Sequence, residues 1–149
     1  MDKRIKLLVV DDEPFNLRAI NRTFQDTYDV ILAGSGSEAL KLVENKEIDL
    51  ALVDYAMPGM NGVELIRRLR KKMPTLPCII VTAWAEVDEV MEAQQSGLAS
   101  AVLAKPWEKA ELEKWIKLAT NLASMRQSVD ELKKWHRDTV RPPPPSKSE

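Results

Sequence analysis

Five short apolar runs recur along the chain at similar intervals: IKLLVV (5–10), DVILA (29–33), LALV (50–53), CIIV (78–81) and AVLA (101–104). Runs this short and this continuously apolar suit parallel strands covered on both faces. Between them the apolar positions change to helical spacing. Residues 14–26 are expected to bring Phe15, Ala19, Ile20 and Phe24 to one side. Residues 37–45 do the same with Ala39, Leu40 and Val43, Ser37 and Glu38 making the start. Residues 63–73 set Val63, Leu65, Ile66 and Leu69 against five basic residues, gathered toward the C-terminal end where the helix dipole favours them. Pro74 and Pro77 forbid continuation.

A weaker helix is expected over 86–96, with Val87, Val90 and Met91 apolar and Gly97 just past its end. A fifth begins after Pro106 and has no obvious stop before Arg141. Strict alternation of strand and helix implies right-handed crossovers and a parallel sheet with helices on both faces. The fold class is therefore α/β: a doubly wound five-stranded parallel sheet, order 2-1-3-4-5, with an extended C-terminal helix.

Composition narrows the picture. At 149 residues, 44% hydrophobic and 30% charged, the chain holds one ordinary core. A net charge of −1 predicts no bulk attraction to nucleic acid or to an anionic membrane. The single cysteine, Cys78, sits in the run CIIV and reads as a small buried hydrophobe. One thiol makes neither an intrachain disulfide nor a zinc site, which fits a reducing compartment. No segment approaches the ~20 apolar residues of a membrane helix, and a cytoplasmic location is expected.

The chemistry gathers at the carboxyl ends of the predicted strands. The first ends in Asp11, Asp12 and Glu13, the third in Asp54, the fourth in Thr82, and the fifth in Lys105 before Pro106. In open α/β sheets the ligand site lies beyond these ends, near a topological switch point. With strands one and three as neighbours, Asp11, Asp12 and Asp54 converge, while Thr82 and Lys105 approach from the other side. Three close carboxylates resist ionising together unless a cation is present, and an oxygen-preferring divalent ion, Mg²⁺, resolves the conflict. Lys105 adds a fixed positive charge and Thr82 a hydroxyl donor, a cradle suited to phosphoryl transfer. Asp54 is then the nucleophile, forming an aspartyl phosphate. A single Asp or Thr at a strand end is commonly just a cap or turn former. Four strand ends supplying the parts of one reaction are not.

These residues sit in VVDDEP, LVDYAMPGMNG, VTA and AKP. Through them the stretch from about residue 4 to 122 resembles the receiver domain of two-component response regulators, a flavodoxin-like fold. The resemblance implies Asp54 as phosphoacceptor, Asp12 binding Mg²⁺ directly, Asp11 helping through water, and the backbone carbonyl of Ala56 as a further ligand. It implies that Thr82 and Lys105 contact the phosphoryl group, that Lys105–Pro106 is cis, and that the donor is a sensor histidine kinase. Such a domain takes a phosphoryl group without being an enzyme, beyond slow self-dephosphorylation. It passes the signal through its fourth and fifth helices to a partner or output domain. Pro58, Gly59 and Gly62 fit the sharp turn after the acceptor, and Met57 and Met60 pack beneath it.

Two departures from the family pattern stand out. Its switching aromatic, three positions before the lysine, is here Val102, so output must rest on Thr82 and on movement of the fourth helix. The positions bordering the hydrolytic water path are Ala56 and Trp84, which carry no carboxylate or amide; Trp84 is bulky enough to cover the site, and the alternative is an exposed ring that merely packs on its loop. Slow self-dephosphorylation is expected.

The expected organisation is a receiver at 1–122, a helical, coiled-coil-like extension at 123–140, and a Pro-rich tail, RPPPPSKSE, at 141–149. From Trp115 the last helix shows a heptad seam of Leu118, Leu122, Met125, Val129 and Leu132, with His136 next. Leu112, Ile116 and Ala119 form a second stripe that its own domain can cover. The seam needs another partner; a parallel homodimer is the expectation, and the competing reading is a signalling helix that serves a separate partner domain. Flanking Lys114, Asn121 and Ser128 face Ala119, Arg126 and Lys133 without attractive pairs. His136, the single histidine, has no neighbouring ligand residues and reads as solvated.

Two rival classes fit less well. A flavin-binding protein of this topology would meet repulsion from Asp11, Asp12 and Glu13 at its phosphate. A phosphatase with an aspartyl nucleophile needs Asp-x-Asp after the first strand, a spacing that Asp11-Asp12-Glu13-Pro14 lacks.

Overall fold

Five strands carry the core: β1 (Lys6–Val10), β2 (Asp29–Ala33), β3 (Leu50–Asp54), β4 (Cys78–Thr82) and β5 (Ala101–Ala104). The helices between and after them are α1 (Pro14–Phe24), α2 (Gly36–Leu42), α3 (Gly62–Lys72), α4 (Asp88–Gln95) and α5 (Lys109–Thr139). The computed structural model describes residues 4–139, apart from the side chains at 126 and 136–139. The stretch 141–149 and the side chain of His136 lie outside the described residues.

The sheet is parallel throughout, in the order β2-β1-β3-β4-β5. Alternate side chains along each strand serve opposite layers. Leu7, Val9, Leu50, Leu52, Ile79, Val81 and Leu103 pack against Ile20 and Phe24 of α1 and Leu112, Ile116 and Ala119 of α5. Leu8, Val10, Val53, Cys78 and Ile80 meet Ala39 of α2, Val63, Ile66 and Leu69 of α3, and Val90 of α4. Covered on both sides, β3 and β4 are buried at every position, which is why their sequences are apolar up to the last residue, Asp54 and Thr82. Burial pushes the Cys78 thiol up to about 12, so it stays a neutral packing group.

Local chemistry sets the helix ends. Ser35 accepts the Glu38 N–H at 3.1 Å, and Glu38 accepts the Gly34 N–H at 2.7 Å. The Ser35 N-cap starts α2 at Gly36, ahead of the expected Ser37, and the helix stops at Leu42. Asn61 caps α3 by accepting the Glu64 N–H at 3.0 Å, and Arg70, Lys71 and Lys72 fill its last turn.

Two predicted faces are corrected. Phe15 is 70% exposed, whereas Ile20 and Phe24 are buried. Nine residues make about two and a half helical turns, so Phe15 stands opposite Phe24. In α4 likewise, Met91 is exposed, and Ala93 joins Val90 inside.

The first part of α5 buries Leu112, Ile116 and Ala119 on the sheet, while Leu118, Leu122, Met125, Val129 and Leu132 remain exposed. Among the described residues, no helix is long and apolar enough to cross a membrane.

Candidate functional site

Strand order creates the site. From β1 the chain moves outward to β2, then returns past β1 to β3 and continues to β5, so β1 and β3 flank the switch point. Val10 pairs with Val53, placing the residue after each at the same level. Those residues are Asp11 and Asp54. One carboxylate oxygen from each of Asp11, Asp12 and Asp54 lies within 4.8 Å of the other two. Asp11 and Asp54 are buried and Asp12 is more open.

Lys105 reaches this cluster from two strands away. Its backbone N–H extends the β4–β5 pairing by donating to Thr82 O at 3.0 Å. The side chain then crosses the end of β4, and Nζ lies 3.1 Å from Asp11 Oδ2 and 3.4 Å from Asp54 Oδ1. Two strand spacings amount to about 10 Å, a gap that only a long cationic side chain closes. The Lys105–Pro106 bond is cis.

The three acids are held differently. Asp11 Oδ1 accepts the Glu13 N–H at 2.9 Å, and Oδ2 accepts from Asn16 Nδ2 at 3.2 Å as well as from Lys105. Among the described residues, Asp54 has Lys105 as its sole charged or hydrogen-bonding side-chain partner. Burial raises the Asp54 carboxyl above its ordinary range; Lys105 opposes that, and the charges of Asp11 and Asp12 add to it. Burial pulls the Lys105 ammonium down, but Asp11 and Asp54 outweigh it and the net shift is upward. A buried, under-bonded carboxylate beside two more acids is a site with capacity for a cation.

Thr82 is fully buried at the end of β4, and its hydroxyl oxygen accepts the Trp84 N–H at 3.0 Å. That leaves the hydroxyl proton free to donate. Ala56 is exposed, and its carbonyl accepts no hydrogen bond among the described residues. Of the two readings open for Trp84, the structure favours the exposed one, for the residue is 62% exposed. The aromatic that does reach the acids is Trp107, which lines a small cavity with Asp11, Asp54 and Lys105 and leans on Phe24, ring centroids 6.1 Å apart. Its place in the sequence, directly after Lys105–Pro106, was the available signal.

The turn after Asp54 is set by close packing. Gly62 donates its N–H to Tyr55 O at 2.9 Å. A Cβ on Gly62 would meet the Asp54 carbonyl oxygen at 2.5 Å. Gly59 has φ +80° and open space around it. Gly62→Ala is therefore expected to cost about 1–3 kcal/mol through backbone displacement. Gly59→Ala should cost about 1–2 kcal/mol through its left-handed φ alone. Urea unfolding of the two variants measures both, and only Gly62→Ala should also disturb the acid site. Met57 is buried beneath this turn and Met60 packs partly against the same cluster.

A larger concavity, about 840 Å³, lies between α5 and the segments leading into β1, β3 and β4. It is at the other end of the strands and gathers no trio of metal-ligating side chains.

This sheet order, with acids from the ends of β1 and β3 and a lysine from β5, defines a class. A family model described as the response regulator receiver domain matches residues 7–117, and the chain belongs to that family. It is similar to Sporulation initiation phosphotransferase F of Bacillus subtilis, 33% identical over 114 residues that make up 75% of this chain and 90% of that protein. It is similar also to the Transcriptional regulatory protein GlrR of Escherichia coli, 35% identical over 72% of this chain and 24% of that protein. The chain spans about a quarter of the length of the transcriptional regulators it matches first. Among solved structures, the response regulator protein TrrA from Thermotoga maritima in complex with Mg²⁺-BeF superposes with a TM-score of 0.69 at 29% identity. It covers 77% of this chain and 98% of that one.

Proposed function

We propose that the domain accepts one phosphoryl group on Asp54 from a sensor histidine kinase, in a Mg²⁺-dependent reaction. Asp11, Asp12, Asp54 and the Ala56 carbonyl hold the ion, and Thr82 and Lys105 contact the phosphoryl group. The observation that carries this reading is the cluster itself: three acids within 4.8 Å and Lys105 Nζ at 3.4 Å from Asp54. An all-oxygen donor set of carboxylates and one free carbonyl suits Mg²⁺ rather than a softer metal. When bound, the ion neutralises charge on the acids and on the incoming phosphoryl oxygens.

The chain's own residues supply the rest. An Asp54 oxygen attacks phosphorus, the P–N bond of the donor phosphohistidine breaks, and the bonding pair leaves with the imidazole nitrogen, which takes up a proton. Lys105 stands where the new phosphoryl oxygens arrive and offsets their charge. Thr82 donates its hydroxyl proton to one of them. Its oxygen also holds the Trp84 N–H, so a shift of Thr82 toward the phosphoryl group pulls the β4–α4 segment with it. With Val102 half-buried against the α4 side of the sheet, that segment takes the part an aromatic switch would play.

The domain is a stoichiometric acceptor, not a turnover enzyme. Neither Ala56 nor Trp84 can orient a hydrolytic water, which supports slow loss of the phosphoryl group. Its output runs through α4 and α5, and the exposed seam of α5 supports self-association as a homodimer. The charge balance supports protein partners for this domain, leaving any nucleic-acid contact to other segments of a longer regulator. The GlrR resemblance is in keeping with that division. Intact mass after incubation with acetyl phosphate and Mg²⁺, with and without chelator, tests the reading.

A further inference from the structure

The loop between β3 and α3 (residues 55–61) carries Ala56, and a carboxylate from elsewhere grips both of its ends. Tyr55 donates its hydroxyl to Glu89 Oε1 at 2.7 Å. Asn61 donates Nδ2 to the same oxygen at 3.0 Å, while its Oδ1 caps α3. The second oxygen, Glu89 Oε2, lies 4.0 Å from Arg67 Nη1 of α3. Glu89 belongs to the first turn of α4, where no side chain caps the helix. Tyr55 and Asn61 are 34 and 28 residues away in sequence.

Packing holds the middle of this loop, where Met57 is buried, but few other hydrogen bonds fix it. Its other hydrogen bonds among the described residues are the Gly62 N–H to Tyr55 O, the Met60 N–H to Pro58 O and the Leu65 N–H to Asn61 O. A surface ion pair such as Arg67–Glu89 contributes little. Two hydrogen bonds converging on one ionised oxygen are roughly twice as strong as neutral ones, and the Tyr55 hydroxyl is part-buried. Position is the decisive feature. The two donors bracket the residue whose carbonyl is assigned to the metal, and the acceptor sits on the helix assigned to output.

We propose that Glu89 is a positioning residue: through Tyr55 and Asn61 it fixes the 55–61 loop so that the Ala56 carbonyl is presented to the cation, and it couples that loop to the first turn of α4. This rests on the Mg²⁺-dependent reading above. Because coupling is reciprocal, a cation at the acids orders α4, and an ordered α4 favours the cation. No aromatic at position 102 is needed for this route.

The test uses the full chain with Glu89→Ala, Glu89→Gln, Tyr55→Phe and the Tyr55→Phe/Glu89→Ala double variant. Hydrogen exchange is measured over 55–62 and 88–92, without metal and with Mg²⁺, alongside Mg²⁺ titration by calorimetry. Glu89→Ala should speed exchange over 55–62 in the metal-free protein. Glu89→Ala and Tyr55→Phe should each weaken Mg²⁺ by roughly 10-fold, as outer partners of metal ligands do. The double variant should be no weaker than the worse single one, and Glu89→Gln, which keeps an acceptor oxygen, should recover most of the affinity. Mg²⁺ should slow exchange over 88–92 in the wild type and not in Glu89→Ala. Unchanged metal affinity in the single variants, or losses that simply add in the double, would overturn the proposal; so would a lowered unfolding midpoint as the sole effect. If the wild type takes up no Mg²⁺, the phosphoacceptor reading falls. Metal-free exchange over 55–62 then decides alone whether Glu89 clamps the loop.

Discussion

Asp54→Asn is expected to gain no mass from acetyl phosphate and Mg²⁺, under conditions where the wild-type chain gains one phosphoryl group. The substitution keeps size and polarity but removes the nucleophilic oxygen, so the loss is complete. Chelating the metal should abolish the wild-type adduct, because the acids repel the incoming anion and Lys105 alone faces them. Lys105→Ala should slow adduct formation without moving its site.

Asp54→Asn also reports on the pocket without any donor. Burial raises the Asp54 carboxyl in the folded chain above its ordinary value. The folded state then binds more protons than the unfolded state as pH rises through that window, and stability falls across it. The penalty is absent below the ordinary carboxylate range and complete above the raised value. In chelator at neutral pH, Asp54→Asn should therefore unfold at higher temperature than the wild type, and the gap should close as the solution is acidified. Added Mg²⁺ should stabilise the wild type and not the variant. An adduct on Asp54→Asn, or equal stability of the two chains at every pH, would remove Asp54 from the centre of the site.

Much of this site was legible because a parallel sheet converts sequence into position with few choices. An apolar run buried on both faces is recognisable without periodicity, and its last residue must emerge at one end of the sheet. Asp11, Asp54, Thr82 and Lys105 could therefore be placed from strand ends and an assumed strand order. Helix faces were less secure. Phe15 looked like a core residue because it is aromatic, though nine residues of helix set it opposite Phe24. Ser37 before Glu38 is a plausible start for α2, but the bond from the Glu38 N–H to Ser35 sets the start one residue earlier. The grip of Glu89 on Tyr55 and Asn61 left no local trace, since its parts lie 28 and 34 residues apart. Nor did the sequence settle which tryptophan reaches the acids, because a loop aromatic has no periodicity to fix its direction. Trp84 faces solvent and Trp107 turns inward.

The wild-type chain is expected to be a dimer by light scattering, and Leu122→Asp/Val129→Asp a monomer that keeps the receiver fold. The seam residues Leu118, Leu122, Met125, Val129 and Leu132 are 43–67% exposed on α5, spaced alternately by three and four. That 3.5-residue period matches a second helix winding around the first. A copy of the same helix offers an identical seam. Five positions per helix make ten side chains per dimer. Full burial of each is worth about 1.5–3 kcal/mol, and roughly half of each is already covered by its own chain. The gross gain is then roughly 8–15 kcal/mol, comparable with the ~4–15 kcal/mol that association costs. Such a dimer is moderate in strength, which is why two buried carboxylates per helix should abolish it. Lys133 flanks the seam on the same side as Ala119. A parallel pair sets this row against Ser128 and Asn121, so no like charges meet across the seam there. None of the seam residues from Leu122 onward belongs to the receiver core, so the variant should unfold at nearly the wild-type temperature and still accept phosphoryl on Asp54. A wild-type chain that scatters as a monomer well above micromolar concentration would assign the seam to a different partner.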